Sequence, residues 1–80
     1  MNKIYIAKLN EEKAEVLEGK IMAAPYNGKQ MVKIFDTGLV YYEKIENIAN
    51  TKLEAITILR NRLNNLSNQV KELWNKNELR

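Results

Sequence analysis

The chain has no cysteine and no histidine, and only one proline, one phenylalanine, one tryptophan and three glycines in 80 residues. Without thiols there is no disulfide framework, and without Cys or His the usual zinc ligand sets cannot be assembled. A chain this short buries only about 60–65% of its unfolded surface, so its core is marginal alone, and small domains without staples usually gain stability by association. The absence of Cys suits a reducing compartment. Long apolar runs are missing too: none exceeds about four residues, far short of the ~20 needed to span a bilayer. The N-terminal MNKIYIAKLNEEK lacks the sustained apolar segment of a secretory leader. A soluble, cytoplasmic protein is expected.

What is present is charge, unevenly placed. The net charge is +3. Residues 1–50 balance Lys3, Lys8, Lys13, Lys20, Lys29, Lys33 and Lys44 against Glu11, Glu12, Glu15, Glu18, Asp36, Glu43 and Glu46. Residues 51–80 set Lys52, Arg60, Arg62, Lys71, Lys76 and Arg80 against Glu54, Glu72 and Glu78. The excess therefore falls on the C-terminal segment, which favours an anionic partner without the dense basic stripe of a dedicated DNA-binding helix.

Periodicity divides the chain into strands followed by one helix. KIYIAKL (3–9) is apolar on both faces, as expected of a central strand. AEVLEGKIMAA (14–24) alternates loosely, with Gly19 suggesting a bulge or sharp bend. PYNG (25–28) has the composition of a tight hairpin turn. KQMVKIF (29–35) sets Gln30, Val32 and Ile34 against Met31, Lys33 and Phe35, and after the DTG turn (36–38) LVYYEKI (39–45) reads as a fourth strand. Short connections imply an antiparallel meander. IENIAN (45–50) fits either a loop or a helical turn. TKLE (51–54) is a capping box, in which Thr51 serves the amide of Glu54, and no Gly or Pro interrupts the segment after it. The expected fold is α+β: a single domain with a four-stranded antiparallel meander and a long C-terminal helix over about 52–76.

Within that helix Ile56, Leu59, Leu63, Leu66, Val70 and Leu73 recur at alternating spacings of three and four, a heptad a/d series. The first turns add Leu53, Ala55 and Ile58, an arc wide enough to lie on a sheet. From Leu63 onward the stripe narrows to the seam and Trp74. A helix of about 25 residues spans roughly 38 Å, against about 25 Å for the strands, so about 10 Å should overhang. Covering that overhang with the same helix from another copy makes Leu63, Leu66, Val70, Leu73 and Trp74 an oligomer interface. The alternatives are one subunit's curved sheet covering the whole helix and a foreign protein partner lying on the seam. With Ile56 at position a, the e positions are Arg60, Ser67 and Trp74 and the g positions Arg62, Gln69 and Lys76. None is acidic, so no g–e′ salt bridge specifies a parallel dimer.

Catalytic chemistry finds little to work with. FDTG (35–38) resembles the aspartic-protease motif, but Asp-Thr-Gly is also common hairpin chemistry. Ser67 is the only serine and has no histidine to activate it. Glu11, Glu12, Glu15 and Glu18 read as a solvated patch around a turn. The expectation is a protein that is not an enzyme, with no cofactor and no metal site. For ligands, Tyr41 and Tyr42 point to opposite faces of one strand, so one is buried and one exposed. With Arg60, Arg62, Lys71 and Asn64 they are the candidate ligand-binding residues, an aromatic to stack on a base and cations to meet phosphate.

A short β-meander, a Tyr-bearing last strand and a helix opening TKLEAI (51–56), in a chain rich in Asn, Lys and Ile, resemble small phage and prophage proteins of the host-defence-inhibitor kind, such as anti-CRISPR proteins and sponges for nucleotide signals. The resemblance implies a non-catalytic, oligomeric protein in the bacterial host cytoplasm that blocks or sequesters an anionic component of antiviral defence. The other expectation is a small nucleic-acid-binding or regulatory protein that uses the basic C-terminal helices of an oligomer.

Overall fold

The computed structural model describes residues 3–78, with side chains as far as Lys76; Arg80 and the side chain of Glu78, counted above among the C-terminal charges, lie outside the described residues. Five strands form one antiparallel sheet in the order β4-β3-β2-β1-β5. They are β1 (Lys3–Leu9), β2 (Ala14–Ile21), β3 (Lys29–Ile34), β4 (Val40–Lys44) and β5 (Ile48–Ala49), followed by α1 (Lys52–Glu78). The α+β class and the meander of the first four strands are as the pattern predicts. The fifth strand is an addition. IENIAN resolves into a 3-10 turn, Ile45–Asn47, and the two-residue β5, which pairs with β1 through Tyr5–Ala49 and Ile6–Ile48.

That small strand determines the shape of the sheet. β4 and β5 are consecutive in the chain yet occupy opposite edges. In a flat sheet four spacings of about 4.8 Å would separate them by about 19 Å, whereas the four Cα steps from Lys44 to Ile48 reach at most about 14 Å. The sheet must therefore roll until its edges approach. Its concave interior holds Ile4, Ile6, Val32 and Ile34, with Leu17, Tyr41 and Ile48 packed against them, so every strand contributes. Gln30, Val32 and Ile34 face inward as the alternation predicts. β1 is apolar on both sides because its second face lies under the helix, where Ala7 and Ala49 meet Ala55 and Leu59, flanked by Tyr5, Leu9, Val16 and Ile58.

The turns follow local chemistry. Asn27 and Gly28 both take positive φ, 51° and 73°, and Tyr26 and Lys29 exchange two backbone hydrogen bonds, the geometry of a type I′ hairpin. Asn10 Oδ1 accepts from the amides of Glu12 and Lys13 to close the β1–β2 turn. β2 ends at Ile21, shorter than the stretch to residue 24 that its sequence suggests, although the Met22 amide still donates to the Met31 carbonyl. The pairing of β1 with β2 runs unbroken through Gly19, so no bulge occurs there. Gly19 serves another purpose: a Cβ at this buried position would press into the carbonyl of Lys33 on β3.

The helix begins as its capping box requires, with the Glu54 amide donating to Thr51 Oγ1 at 3.1 Å. Its seat on the sheet is short. Ala55 and Leu59 are buried and Ile58 and Arg62 half-buried, while Leu53 and Ile56, expected in the covered arc, are exposed. Beyond Arg62 every described side chain is exposed, so about 24 Å of helix projects, more than twice the overhang inferred from strand length. Rolling the sheet narrows the outer face on which a helix can lie.

Candidate interaction surfaces

One end of the rolled sheet is closed by a polar cluster rather than by apolar packing. Glu43, whose side chain is 6% exposed, accepts from Tyr41 Oη at 2.8 Å, Asn47 Nδ2 at 2.7 Å and its neighbour's amide, Lys44 N, at 3.0 Å. Lys8 Nζ lies 3.0 Å from the same carboxylate and 4.7 Å from the centre of the Tyr41 ring. Burial alone would push the Glu43 carboxyl up, but the bonds from Asn47, Lys8 and Tyr41 outweigh it and hold the group below its ordinary 4.5. Burial likewise opposes the Lys8 charge, yet its bonds to Glu43 and Tyr41 leave it above 10.5. Tyr41 is pushed up by burial and by its bond to Glu43.

The signs give a stability window. Glu43, with its folded pKa lowered, contributes above 4.5 and loses that contribution as pH falls through the folded value. Lys8 and Tyr41, with folded values raised, contribute below their unfolded values of 10.5 and 10.0 and lose that contribution in stronger base. Glu43→Gln is expected to cost about 2 kcal/mol near neutrality and to flatten part of the loss of stability in acid. Urea denaturation of both proteins between about pH 3 and pH 7 reads both effects. An acid limb identical in the two proteins would mean that folding leaves the proton affinity of the Glu43 carboxyl unchanged.

The helix presents the seam as an uncovered stripe. Leu63 and Leu66 are 46% and 48% exposed, and Val70, Leu73 and Trp74 are 63%, 62% and 64%, against 7% for Leu59 at the seat. At 100° per residue the stripe is turned by about 60° from the face that rests on the sheet. A single subunit's sheet does not cover it. The whole chain shows the consequence: it exposes 6346 Å², where a compact monomer of its mass exposes about 5000 Å². Its radius of gyration is 15.7 Å, against about 12 Å for a compact chain of this length.

Within one chain the candidate ligand residues are not brought together. Tyr41 is the inward tyrosine and its hydroxyl is committed to Glu43, while Tyr42 is exposed. Arg62 reaches back to Glu46 at 3.8 Å, tying helix to 3-10 turn. Arg60, Asn64 and Lys71 are exposed along the projecting helix. Tyr42 instead shares a shallow concavity with Tyr26, Asn27 and Lys29 on the outer face of the β3–β4 hairpin, away from the helical cations.

That outer face was not legible from the charge count. Opposite residues on paired strands share a face, so Lys20 and Lys33 lie side by side, as do Lys29 and Lys44. Met31 sits beside Tyr42 and Lys33 beside Val40, with Tyr26 bridging to Lys29. Among the described residues the ion pairs take Lys3 with Glu18, Lys8 with Glu43, Lys13 with Glu15 and Arg62 with Glu46, and leave these four lysines without a carboxylate. The balance of charge along residues 1–50 is therefore not a balance in space. The signal lay in register: alternation along β3 and the Asn-Gly turn fix which lysines meet.

For chemistry, Asp36 lies in the exposed β3–β4 turn, where Gly38 takes φ 72° and Leu39 donates to Thr37 Oγ1 at 3.2 Å. The acidic patch disperses, since Glu15 and Glu18 are paired with lysines and Glu11 and Glu12 face solvent. Among the described residues no three acids converge on a metal-sized site. None of the described helices is long and apolar enough to cross a membrane. Comparison with family models, curated proteins and solved structures finds no match.

Proposed function

We propose that the chain is a non-catalytic binding protein that works as an assembly of two or more copies, joined through the projecting helix, and that takes an anionic partner. One observation carries the assembly: an apolar heptad stripe left in water over the outer turns of a helix that its own sheet does not cover. The surplus surface, about 1,300 Å² over a compact monomer, exceeds the ~800 Å² that each partner of a standard complex buries. A host-defence inhibitor, the class suggested by the sequence resemblance, is one instance of such a protein.

Antiparallel pairing suits the seam best. It stacks Leu63 on the partner's Leu73 and Leu66 on the partner's Val70, and each layer recurs by symmetry. It also sends the two rolled sheets to opposite ends and sets Arg60 near Trp74 of the partner subunit, a cation–π pair in place of absent salt bridges. Because the chain has no cysteine, single introduced thiols report the arrangement directly. Gln69→Cys is expected to form a disulfide-linked dimer on mild oxidation, since g positions meet their own kind in an antiparallel pair, and Leu63→Cys is not. Efficient crosslinking at 63 but not at 69 would mean parallel helices. Light scattering after gel filtration tests the assembly itself: a strict monomer across micromolar concentrations would overturn it.

A further inference from the structure

We propose that the outer face of β2, β3 and β4 is a binding site for single-stranded nucleic acid; this deepens the anionic-partner half of the proposed function and is independent of the helix seam. Two features point there. The register places like charges directly opposite one another, Lys20 against Lys33 and Lys29 against Lys44, while Lys3, which also faces Lys20 from β1, is drawn to Glu18. Directly opposed like charges destabilise a sheet, so this arrangement works against the fold and is relieved by an anion laid across it. The second feature is aromatic. Tyr26, 66% exposed, and Tyr42, 49% exposed, flank Asn27 and Lys29 in the concavity, with Met31 and Val40 continuing the apolar floor.

Cations spaced along a strand with aromatics between them match the alternation of phosphate and base in an unpaired strand. Phosphates meet the lysines, and bases stack on the tyrosines without sequence preference. A duplex hides its base faces and would leave the tyrosines unused. The neighbouring acid does not spoil the face, because Glu18 is engaged by Lys3. Arg60, Arg62 and Lys71 play no part in this site, which replaces the helical location expected from the charge count.

The test is fluorescence anisotropy with labelled oligo-dT and oligo-rU of about ten nucleotides, a length within the range such surfaces occupy, and with duplex DNA of equal length. The single strands are expected to bind, and binding to fall with salt at a log–log slope of about −3 for four phosphate contacts. Tyr42→Ala is expected to weaken binding about 5- to 100-fold with the slope unchanged. Lys33→Glu, which gives Lys20 an opposite charge, is expected to abolish most binding while raising the melting temperature by a few degrees. Loss of binding with a gain of stability separates a binding role from a structural one. Lys71→Gln is expected to bind within twofold of the parent. Binding lost in this helix variant and kept in Lys33→Glu would overturn the site while leaving an anionic partner in place. Preference for duplex would overturn the single-strand assignment, and no binding to any of the three probes would overturn the site altogether. Light scattering on each variant reports assembly separately, since none of these positions belongs to the a/d seam.

Discussion

Gly19→Ala is expected to cost about 3 kcal/mol, the upper part of the range for overpacking, and to lower the melting temperature by about 15 °C. The cause is the crossing of pairings at one residue. Gly19 lies opposite Ile4 on β1 and opposite Ile34 on β3, and the Phe35 amide donates to the neighbouring Glu18 carbonyl at 3.0 Å. β2 is therefore held on both sides where the sheet curls, and the backbone of β3 passes where a side chain would stand. An added Cβ would run into the carbonyl of Lys33, with its carbon only 3.1 Å away. Backbone bound into a ladder cannot swing aside as a flexible side chain would. For a domain whose total stability is about 4–12 kcal/mol, the loss is a large share. Gly28→Ala and Gly38→Ala provide the contrast. Both have open space around them and positive φ, so each pays only the left-handed penalty of about 1–2 kcal/mol. Urea and thermal denaturation of the three variants give the order, and Gly19→Ala melting within a few degrees of the parent would mean that β3 can shift away.

Local rules carried much of the fold, and their failures have a common cause. The Asn27-Gly28 turn, the Thr51 cap, the alternation of Gln30, Val32 and Ile34 and the apolar spacing of α1 are each determined within a few residues, and each appears where the sequence puts it. β5 escaped because two residues carry no periodicity; Ile48 and Ala49 are strand only because β1 lies beside them. Gly19 was noticeable, but whether it bent a strand or admitted a neighbour depends on β3, ten residues further on. The same holds for the surfaces. The seam needed only helical spacing and was legible. The lysine face needed register, because Lys20, Lys29, Lys33 and Lys44 are scattered among acids along the chain and gather only when β2, β3 and β4 pair. Tyr41 and Tyr42 could be assigned to opposite faces but not to inside and outside until Glu43 and Lys8 were placed beside one of them.

Leu66→Lys is expected to weaken assembly by about two to four decades. Leu66 sits in the middle of the projecting stripe and is 48% exposed in the single chain, so the substitution leaves the rolled sheet and its buried residues untouched. In the pair it breaks two symmetric layers, each losing about 1.5–3 kcal/mol of apolar burial, and every 1.4 kcal/mol is tenfold in dissociation constant. The parent assembly has little to spare. Ten partly exposed side chains, five from each copy, contribute a gross gain of about 10–15 kcal/mol at roughly 1–1.5 kcal/mol each, and association costs at least about 4 kcal/mol in lost freedom, which places the wild-type dissociation constant around the micromolar range. Two spectroscopic readouts accompany the mass. Trp74, the one tryptophan and 64% exposed in the single chain, is expected to shift its emission to the blue as the pair forms and to remain red in Leu66→Lys at every concentration. A projecting segment of about 16 residues is at the margin of independent helix stability, so circular dichroism is expected to lose helix on dilution of the parent and to show the reduced signal throughout in the variant. A mass unchanged by the substitution would assign the contact to another surface, and helicity independent of concentration would mean that the outer turns of α1 hold without a partner.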